Sequence, residues 1–183
     1  DAAGAGVAWE GGWIEAAAQV ARELDDAEWL VTAQLQQAVH RFEGGDAPAA
    51  LSLAQECLVT ARHSAPTRQA QALSLVAAMA AASQDHDLAV ASAEEAWLLG
   101  CVTGSASDVA AVAGNTALAL LESGQGERAC EVVATAQRLV EGRIGAQSVI
   151  VLCVNGGWAA ISAGDYAAAL ACFAGVLTDH PEA

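Results

Sequence analysis

A short pattern of turn residues and small residues recurs four times along the 183-residue chain, at intervals of 39 or 40 residues. In each copy a two-residue turn, such as Gly164-Asp165, is followed four residues later by an alanine. An alanine or a glycine stands seven residues before the turn. The alanines after the turns are Ala50, Ala89, Ala129 and Ala169, and the small residues before them are Ala38, Ala77, Ala117 and Gly157. A fixed period of this length is typical of a stacked repeat array, in which each repeat contacts only its neighbours.

The segments between the turns favour helices. Hydrophobic residues make up 55% of the chain and are dominated by alanine, which has the highest helix propensity and lets helices pack closely. We therefore predict an all-α fold of about nine antiparallel helices, with the alanines after the turns buried where helices cross. Residues 1–25 are expected to contain a frayed lead-in (1–12) and a capping helix or partial repeat, and residues 26–183 about four repeats. The repeat helices are predicted at 26–43, 46–62, 67–83, 87–99, 108–122, 127–140, 147–163 and 166–177, with a loop at 100–104 and a stop at Pro181.

The charge of the chain is strongly one-sided. It contains 22 acidic residues and seven arginines but no lysine, which gives a formal net charge of −15. Nucleic-acid binding needs a basic stripe that contacts phosphates, so direct nucleic-acid binding by this chain is excluded. Binding to an anionic membrane surface is excluded for the same reason. The absence of lysine also removes P-loop and Schiff-base chemistry.

The cysteines and the one long apolar stretch are both explained by a helical array. Five cysteines form no Cys-x-x-Cys pair, which favours buried thiols in a reduced, cytoplasmic protein. Residues 144–164 form an uncharged run long enough for a membrane span, but its polar residues and its repeat register favour an inner helix packed on both sides. The chain begins without methionine, so we expect it to be part of a longer protein, with the array truncated at its C-terminal end.

Three local patterns resemble chemical motifs but fall on predicted turns or helices. Residues 124–129 match G-x-G-x-x-A without a preceding strand, and Asp85-His86-Asp87 occupies a repeat turn. Ser162 lies in a helix, without the strand that leads into a nucleophile elbow. No pair of titratable residues recurs at a catalytic spacing. The sequence therefore predicts no catalytic residues, no cofactor and no metal site.

The final repeat resembles a known family, the tetratricopeptide repeats. The resemblance rests on a small residue at the eighth position, a Gly-Asp-Tyr turn, an alanine, an aromatic residue and a proline, which correspond here to Gly157, Gly164, Asp165, Tyr166, Ala169, Phe173 and Pro181. Earlier repeats match mainly in their small residues, and the period exceeds the usual one. The resemblance implies a right-handed α-solenoid. The longer period resembles repeats in the C-terminal regions of large bacterial signalling ATPases that regulate transcription.

The resemblance also implies a binding groove lined by the first helix of each repeat. It places Gln36, Leu75, Asn115 and Asn155 in one row, at the position where the family uses an asparagine to contact a peptide main chain. Beside them it places Val39, Phe42, Leu118, Leu121, Trp158 and Ile161. The seven residues expected to contact a partner are Gln36, Val39, Phe42, Asn115, Leu118, Asn155 and Trp158. An equally weighted alternative is that Asn115 and Asn155 only satisfy the backbone or neighbouring helices.

The sequence therefore predicts a non-enzymatic scaffold that binds a protein or peptide segment of basic or apolar character. We expect it to be the interaction domain of a larger bacterial cytoplasmic protein, such as a transcription regulator. Two alternatives remain at this point. The groove could close over a small molecule, which would make the chain a sensor domain, or the array could associate with a second copy of itself.

Overall fold

The computed structural model describes the backbone of residues 2–179 and the side chains of residues 12–178. Within this range it contains nine α-helices, one turn of 3-10 helix at Pro66–Arg68 and no strand, which confirms the all-α prediction. The predicted stop at Pro181 lies outside the described residues. The helices are α1 (Ala2–Glu23), α2 (Ala27–Glu43), α3 (Ala47–Ser64), α4 (Gln69–Ala82), α5 (His86–Thr103), α6 (Ala106–Glu122), α7 (Gly126–Val140), α8 (Ala146–Ser162) and α9 (Tyr166–Asp179).

The turns within helix pairs all use the same backbone geometry. In the α2–α3 turn, Gly45 has a φ of +85°, and the N–H of Asp46 donates to the carbonyl of Arg41. The side chain of Asp46 then accepts from the N–H of Ala49 and caps the next helix. The residues with positive φ in these turns are Asp25, Gly45, Gln84, Gly124 and Gly164. The four predicted turns are confirmed, and the α1–α2 turn is a fifth of the same type.

The structure differs from the predicted boundaries in two places. Residues 2–12 are helical and belong to α1, so the first helix begins earlier than the predicted start at residue 13. The predicted loop over residues 100–104 begins too early, because α5 continues to Thr103. Gly100 is buried inside α5, and a Cβ built on it would lie 3.2 Å from Cγ1 of Val112 on α6. This glycine therefore permits a close helix contact instead of ending a helix.

The helices form two layers over most of the described chain. The first helices of successive repeats, α4, α6 and α8, pack side by side, and each also packs against the second helix of its own pair. At the crossings of these pairs the alanines after the turns are buried, with at most 4% of their surface exposed, as predicted. Helix α2 is different, because it packs on α1 and α3 and barely contacts α4. The 3-10 turn Pro66–Arg68 contacts both α2 and α4.

Candidate binding groove

The stacking of α6 against α8 produces an open groove of about 490 Å³ on the face formed by the first helices. Large apolar side chains line it, and three of them are well exposed: Leu118 by 41%, Trp158 by 55% and Ile161 by 37%. Such exposure is unusual for tryptophan, which normally buries a large apolar area. The lining residues are Leu118, Leu121, Glu122, Asn155, Trp158, Ile161 and Ser162.

The structure brings together only part of the predicted contact set. Leu118, Asn155 and Trp158 line the groove, and Asn115 lies one turn before Leu118 on α6. The other three predicted residues, Gln36, Val39 and Phe42, are on α2 and do not line it. The predicted row of four residues is also incomplete at the surface, because Leu75 on α4 is buried, with 8% of its surface exposed.

The two asparagines tie successive first helices together. Nδ2 of Asn115 donates to Oγ of Ser74 on α4 at 3.2 Å, and Nδ2 of Asn155 donates to the carbonyl oxygen of Gly114 on α6 at 3.3 Å. Both bonds span 41 residues, so the same contact is made at two successive junctions. This packing role accounts for one N–H of each amide. Among the described residues nothing donates to Oδ1 of Asn155, which leaves that atom and the second N–H for a ligand in the groove.

The position of Trp158 is set by an aromatic contact with α9. Its ring meets that of Phe173 edge to face, with 6.0 Å between centroids and 75° between planes. Phe173 in turn occupies the space beside Gly157, where a Cβ would lie 2.4 Å from Cζ of the ring. A side chain at position 157 of α8 would therefore displace the Phe173 ring. The contact holds Trp158 in place while leaving much of its indole in solvent.

Sequence reasoning missed two polar residues of the groove, Glu122 and Ser162. Each stands four residues after a predicted contact residue, Leu118 or Trp158, and therefore one helical turn further along the same face. Helical periodicity could have identified both. They place a carboxylate and a hydroxyl at the end of the groove next to the repeat turns, where Ser162 lies against Gly126.

The described residues show no arrangement suited to catalysis or metal binding. Asp85 caps α5 by accepting from the N–H of Leu88, so the Asp85-His86-Asp87 segment forms a repeat turn. No group of three or more histidine, cysteine or acidic side chains lies close enough to hold a metal ion in the described part of the chain. Burial raises the pKa of the Cys57 thiol to about 12 and also raises that of Cys101. Protonated thiols are poor nucleophiles.

The apolar stretch at residues 144–164 corresponds mainly to α8 and packs inside the array. The two second helices next to it, α7 and α9, contact it, as does the first helix α6. Among the described helices none is both long enough and apolar enough to cross a membrane.

Comparison with known proteins supports the fold. No family model and no curated protein matches the chain. Thirteen chains of solved structures match it in shape, among them the following two. One, from Podospora anserina, is described as a putative kinesin light chain with nearly identical TPR-like repeats; it has a TM-score of 0.66 and 15% identity, over 94% of this chain and 85% of that one. The other, BtubC (BKLC) from P. vanneervenii, has a TM-score of 0.56 and 21% identity, over 94% and 90% of the two chains. The chain therefore has a tetratricopeptide-repeat-like fold, an all-α solenoid of antiparallel helix pairs.

Proposed function

We propose that this protein is a non-enzymatic scaffold whose α6–α8 groove binds an extended segment of a partner protein. The observation that carries the proposal is the row of exposed apolar side chains, Leu118, Trp158 and Ile161, beside the amide of Asn155 in a groove of about 490 Å³. Apolar side chains that are exposed together in a groove are typical of an interaction site. The asparagine ties and the Trp158–Phe173 contact hold the groove in shape before a partner arrives.

The openness of the groove favours a peptide over an enclosed metabolite. Small-molecule sites usually bury most of the ligand surface, whereas Trp158 and Leu118 here face solvent over much of their area. An extended chain rises about 3.3 Å per residue, so about three residues span the distance of roughly 10 Å between neighbouring helices. Oδ1 and the second N–H of Asn155 suit a main-chain amide, which both donates and accepts. The apolar residues would then hold the side chains of the segment.

The electrostatics favour a partner with positive charge next to an apolar anchor. Glu122 is exposed at the edge of the groove, and the chain as a whole carries a net charge of −15. A field of this sign attracts basic segments and repels acidic ones. Because the charges involved are exposed, binding should weaken as salt is added.

The wider setting that we propose is the regulatory part of a larger bacterial cytoplasmic protein, such as a transcription regulator. Its support is the long repeat period, which resembles the C-terminal repeats of bacterial signalling ATPases. The full-length gene tests this part separately. A nucleotide-binding or DNA-binding module encoded next to the repeats would agree with it, and a free-standing repeat protein would contradict it.

The groove can be tested by selecting a phage-displayed library of random peptides, each about 12 residues long, on the purified chain. We expect the enriched peptides to combine an aromatic or aliphatic residue with lysine or arginine. Synthetic versions should lose at least about tenfold in affinity against Trp158→Ala, since buried aromatic anchors dominate such interfaces. Raising the salt from about 50 to about 500 mM should weaken the remaining binding.

The matched control is Phe42→Ala, which removes another exposed aromatic side chain, 39% exposed, from α2 outside the groove. Affinity should stay within about twofold for this variant, because surface substitutions away from a contact have small effects. Circular dichroism of both variants checks that the helices are intact. Selected peptides that bind the Trp158→Ala and wild-type chains equally would contradict the proposed groove.

A further inference from the structure

A second cavity, of about 310 Å³, lies among α7, α8 and α9 and shares no lining residue with the α6–α8 groove. We call it the α7–α9 cavity. Its volume is at the lower end of the range for small-molecule sites, about 300–1,000 Å³. All its lining residues belong to the described part of the chain, and none of them is charged. They are Gln137, Val149, Cys153, Ala171, Cys172, Gly175 and Val176.

The preceding repeat shows what fills this space when it is occupied. The residue 40 positions before Gln137 is Trp97 on α5, a half-buried tryptophan that packs against the core clusters on both sides of it. Three positions that line the α7–α9 cavity are buried at this earlier junction and only half-buried at the later one. The pairs are Val109 and Val149, Ala113 and Cys153, and Val132 and Cys172. An amide therefore stands where the array elsewhere uses an indole.

The neighbouring residues of α9 do not refill the space. Gly175 stands where α7 has Thr135, and Ala171 stands where α7 has Glu131. A Cβ built on Gly175 would have no heavy atom within 4 Å. A space left between apolar side chains costs stability and can take up an apolar ring.

The cavity lies on the side of α9 that faces the preceding repeat. Gly175 is two residues before Leu177 and therefore about 200° from it around the helix. Leu177 corresponds to Gln137, whose Nε2 lies 3.7 Å from Sγ of Cys153 on the following first helix. A further repeat stacked on α9 would thus cover Leu177 and leave the cavity unchanged. The corresponding gap between α5 and α7 stays open although α8 and α9 follow it.

We infer that the α7–α9 cavity binds a small, uncharged aromatic molecule that carries one hydrogen-bond donor and is about as large as an indole. The ring would occupy the place that the indole of Trp97 fills one repeat earlier. Nε2 of Gln137 donates to Sγ of Cys153, and among the described residues nothing donates to Oε1 of Gln137. This oxygen can accept from the N–H of a ligand ring. Sulfur and aliphatic side chains suit the faces and edges of such a ring.

The shape of the cavity favours a free molecule over an aromatic side chain of a docked protein. Three helices enclose it, whereas the α6–α8 groove lies between two. Sites for small molecules bury most of the ligand surface, which requires such an enclosure. Because the two sites share no residue, this binding is independent of the proposed peptide binding.

A fluorine NMR titration of the 183-residue chain with 5-fluoroindole tests the inference. A ligand of roughly ten non-hydrogen atoms is expected to bind with a Kd of about 1 mM or below. Gln137→Trp introduces the residue that the chain itself carries at position 97, and it should weaken binding at least about tenfold by filling the cavity. Gly175→Leu should do the same from α9, where there is room for a side chain. The probe 5-fluoro-1-methylindole, which lacks the donor, should bind about three- to tenfold more weakly than 5-fluoroindole.

The matched control is Gln55→Trp, the same substitution at an exposed position of α3. Affinity for 5-fluoroindole should stay within about twofold for this variant. Circular dichroism of each variant establishes that it is folded.

The inference is overturned if 5-fluoroindole at about 5 mM does not bind the wild-type chain, or if a folded Gln137→Trp variant binds it as tightly as the wild type does. It is also overturned if Gln55→Trp weakens binding as much as Gln137→Trp, or if both probes bind equally. Loss of binding in Trp158→Ala but not in Gln137→Trp would place the ring in the α6–α8 groove and would likewise contradict it.

Discussion

The two ends of the repeat array are joined in different ways. From α4 to α8 the first helices pack side by side, and an asparagine amide crosses each junction to the previous helix. At the N-terminal end α2 barely meets α4, and its first turn is instead connected to the segment before α4 by charge. Glu28 accepts from Thr67 and, at 3.1 Å, from Nε of Arg68, which form part of the 3-10 turn. The α6–α8 groove lies at a junction of the first kind.

This difference shows that a first helix contributes to the groove only where it packs beside its neighbour. Gln36 is exposed and Phe42 is 39% exposed, so the relevant face of α2 is available, but α2 barely contacts α4. On α6 and α8 the bond from Asn155 to the carbonyl of Gly114 joins the two helices. Exposed apolar residues of both helices then line the same groove.

The largest effect is expected from Gly157→Ala at the C-terminal end. The new Cβ would lie 2.4 Å from Cζ of Phe173 and would displace the ring that supports Trp158. Although alanine gains about 1 kcal/mol of helix propensity over glycine, we expect a net loss of roughly 1–3 kcal/mol in the free energy of unfolding. Urea denaturation followed by circular dichroism measures it.

A second-site change tests the cause. At the preceding junction the corresponding pair is Ala117 and Val133, both buried, so Phe173→Val should accommodate the alanine at position 157. The double variant is expected to be more stable than the sum of the two single changes predicts. Strict additivity, or a Gly157→Ala variant as stable as the wild type, would contradict the steric explanation.

An intermediate effect is expected from Asn155→Ala. It removes the bond to the carbonyl of Gly114, and we expect the free energy of unfolding to fall by about 1 kcal/mol. The matched change at the N-terminal end is Gln36→Ala, at the same register but exposed, which should cost less than about 0.5 kcal/mol. Equal losses in the two variants, measured by urea denaturation, would remove the distinction between the two kinds of junction.

The sequence predicted best what depends on local chemistry. The turns at Gly45, Gln84, Gly124 and Gly164 follow from residues that tolerate positive φ and from helix caps within a few positions. That Leu118, Asn155 and Trp158 line one groove follows from carrying a repeat register across two adjacent helices, and that they contact a partner stays a prediction. Both kinds of inference use contacts that recur once per repeat.

The predicted contact residues on α2 depend on a longer-range feature. Gln36, Val39 and Phe42 satisfy the same register but do not line the α6–α8 groove, and whether they contact a partner stays a prediction. How closely α2 packs on α4 depends on the path of the chain between α3 and α4, which includes the 3-10 turn after Ala65, and nothing in the pattern of α2 indicates this path. The prediction that a loop starts at Gly100 was wrong for a similar reason. In sequence, a glycine that lets a neighbouring helix approach looks the same as a glycine that ends its own helix.

Glu28→Gln is expected to have the smallest effect on the free energy of unfolding. It also distinguishes the junction held by charge, at α2, from the junction held by an asparagine amide, at α6 and α8. The Glu28 and Arg68 side chains are 43% and 34% exposed, so their ion pair should contribute no more than about 1 kcal/mol at low salt and less as salt is added. The loss caused by Glu28→Gln should therefore shrink between about 20 and about 500 mM NaCl, because screening removes most of the attraction in the wild type. The loss caused by Asn155→Ala should not change, because an amide-to-carbonyl bond carries no net charge.

Hydrogen exchange of the α2 and α3 amides, read beside urea denaturation at both salt concentrations, locates the effect at the N-terminal end. A salt-independent loss for Glu28→Gln would mean that its bond to Thr67, and not the charge on Arg68, holds α2 to the array.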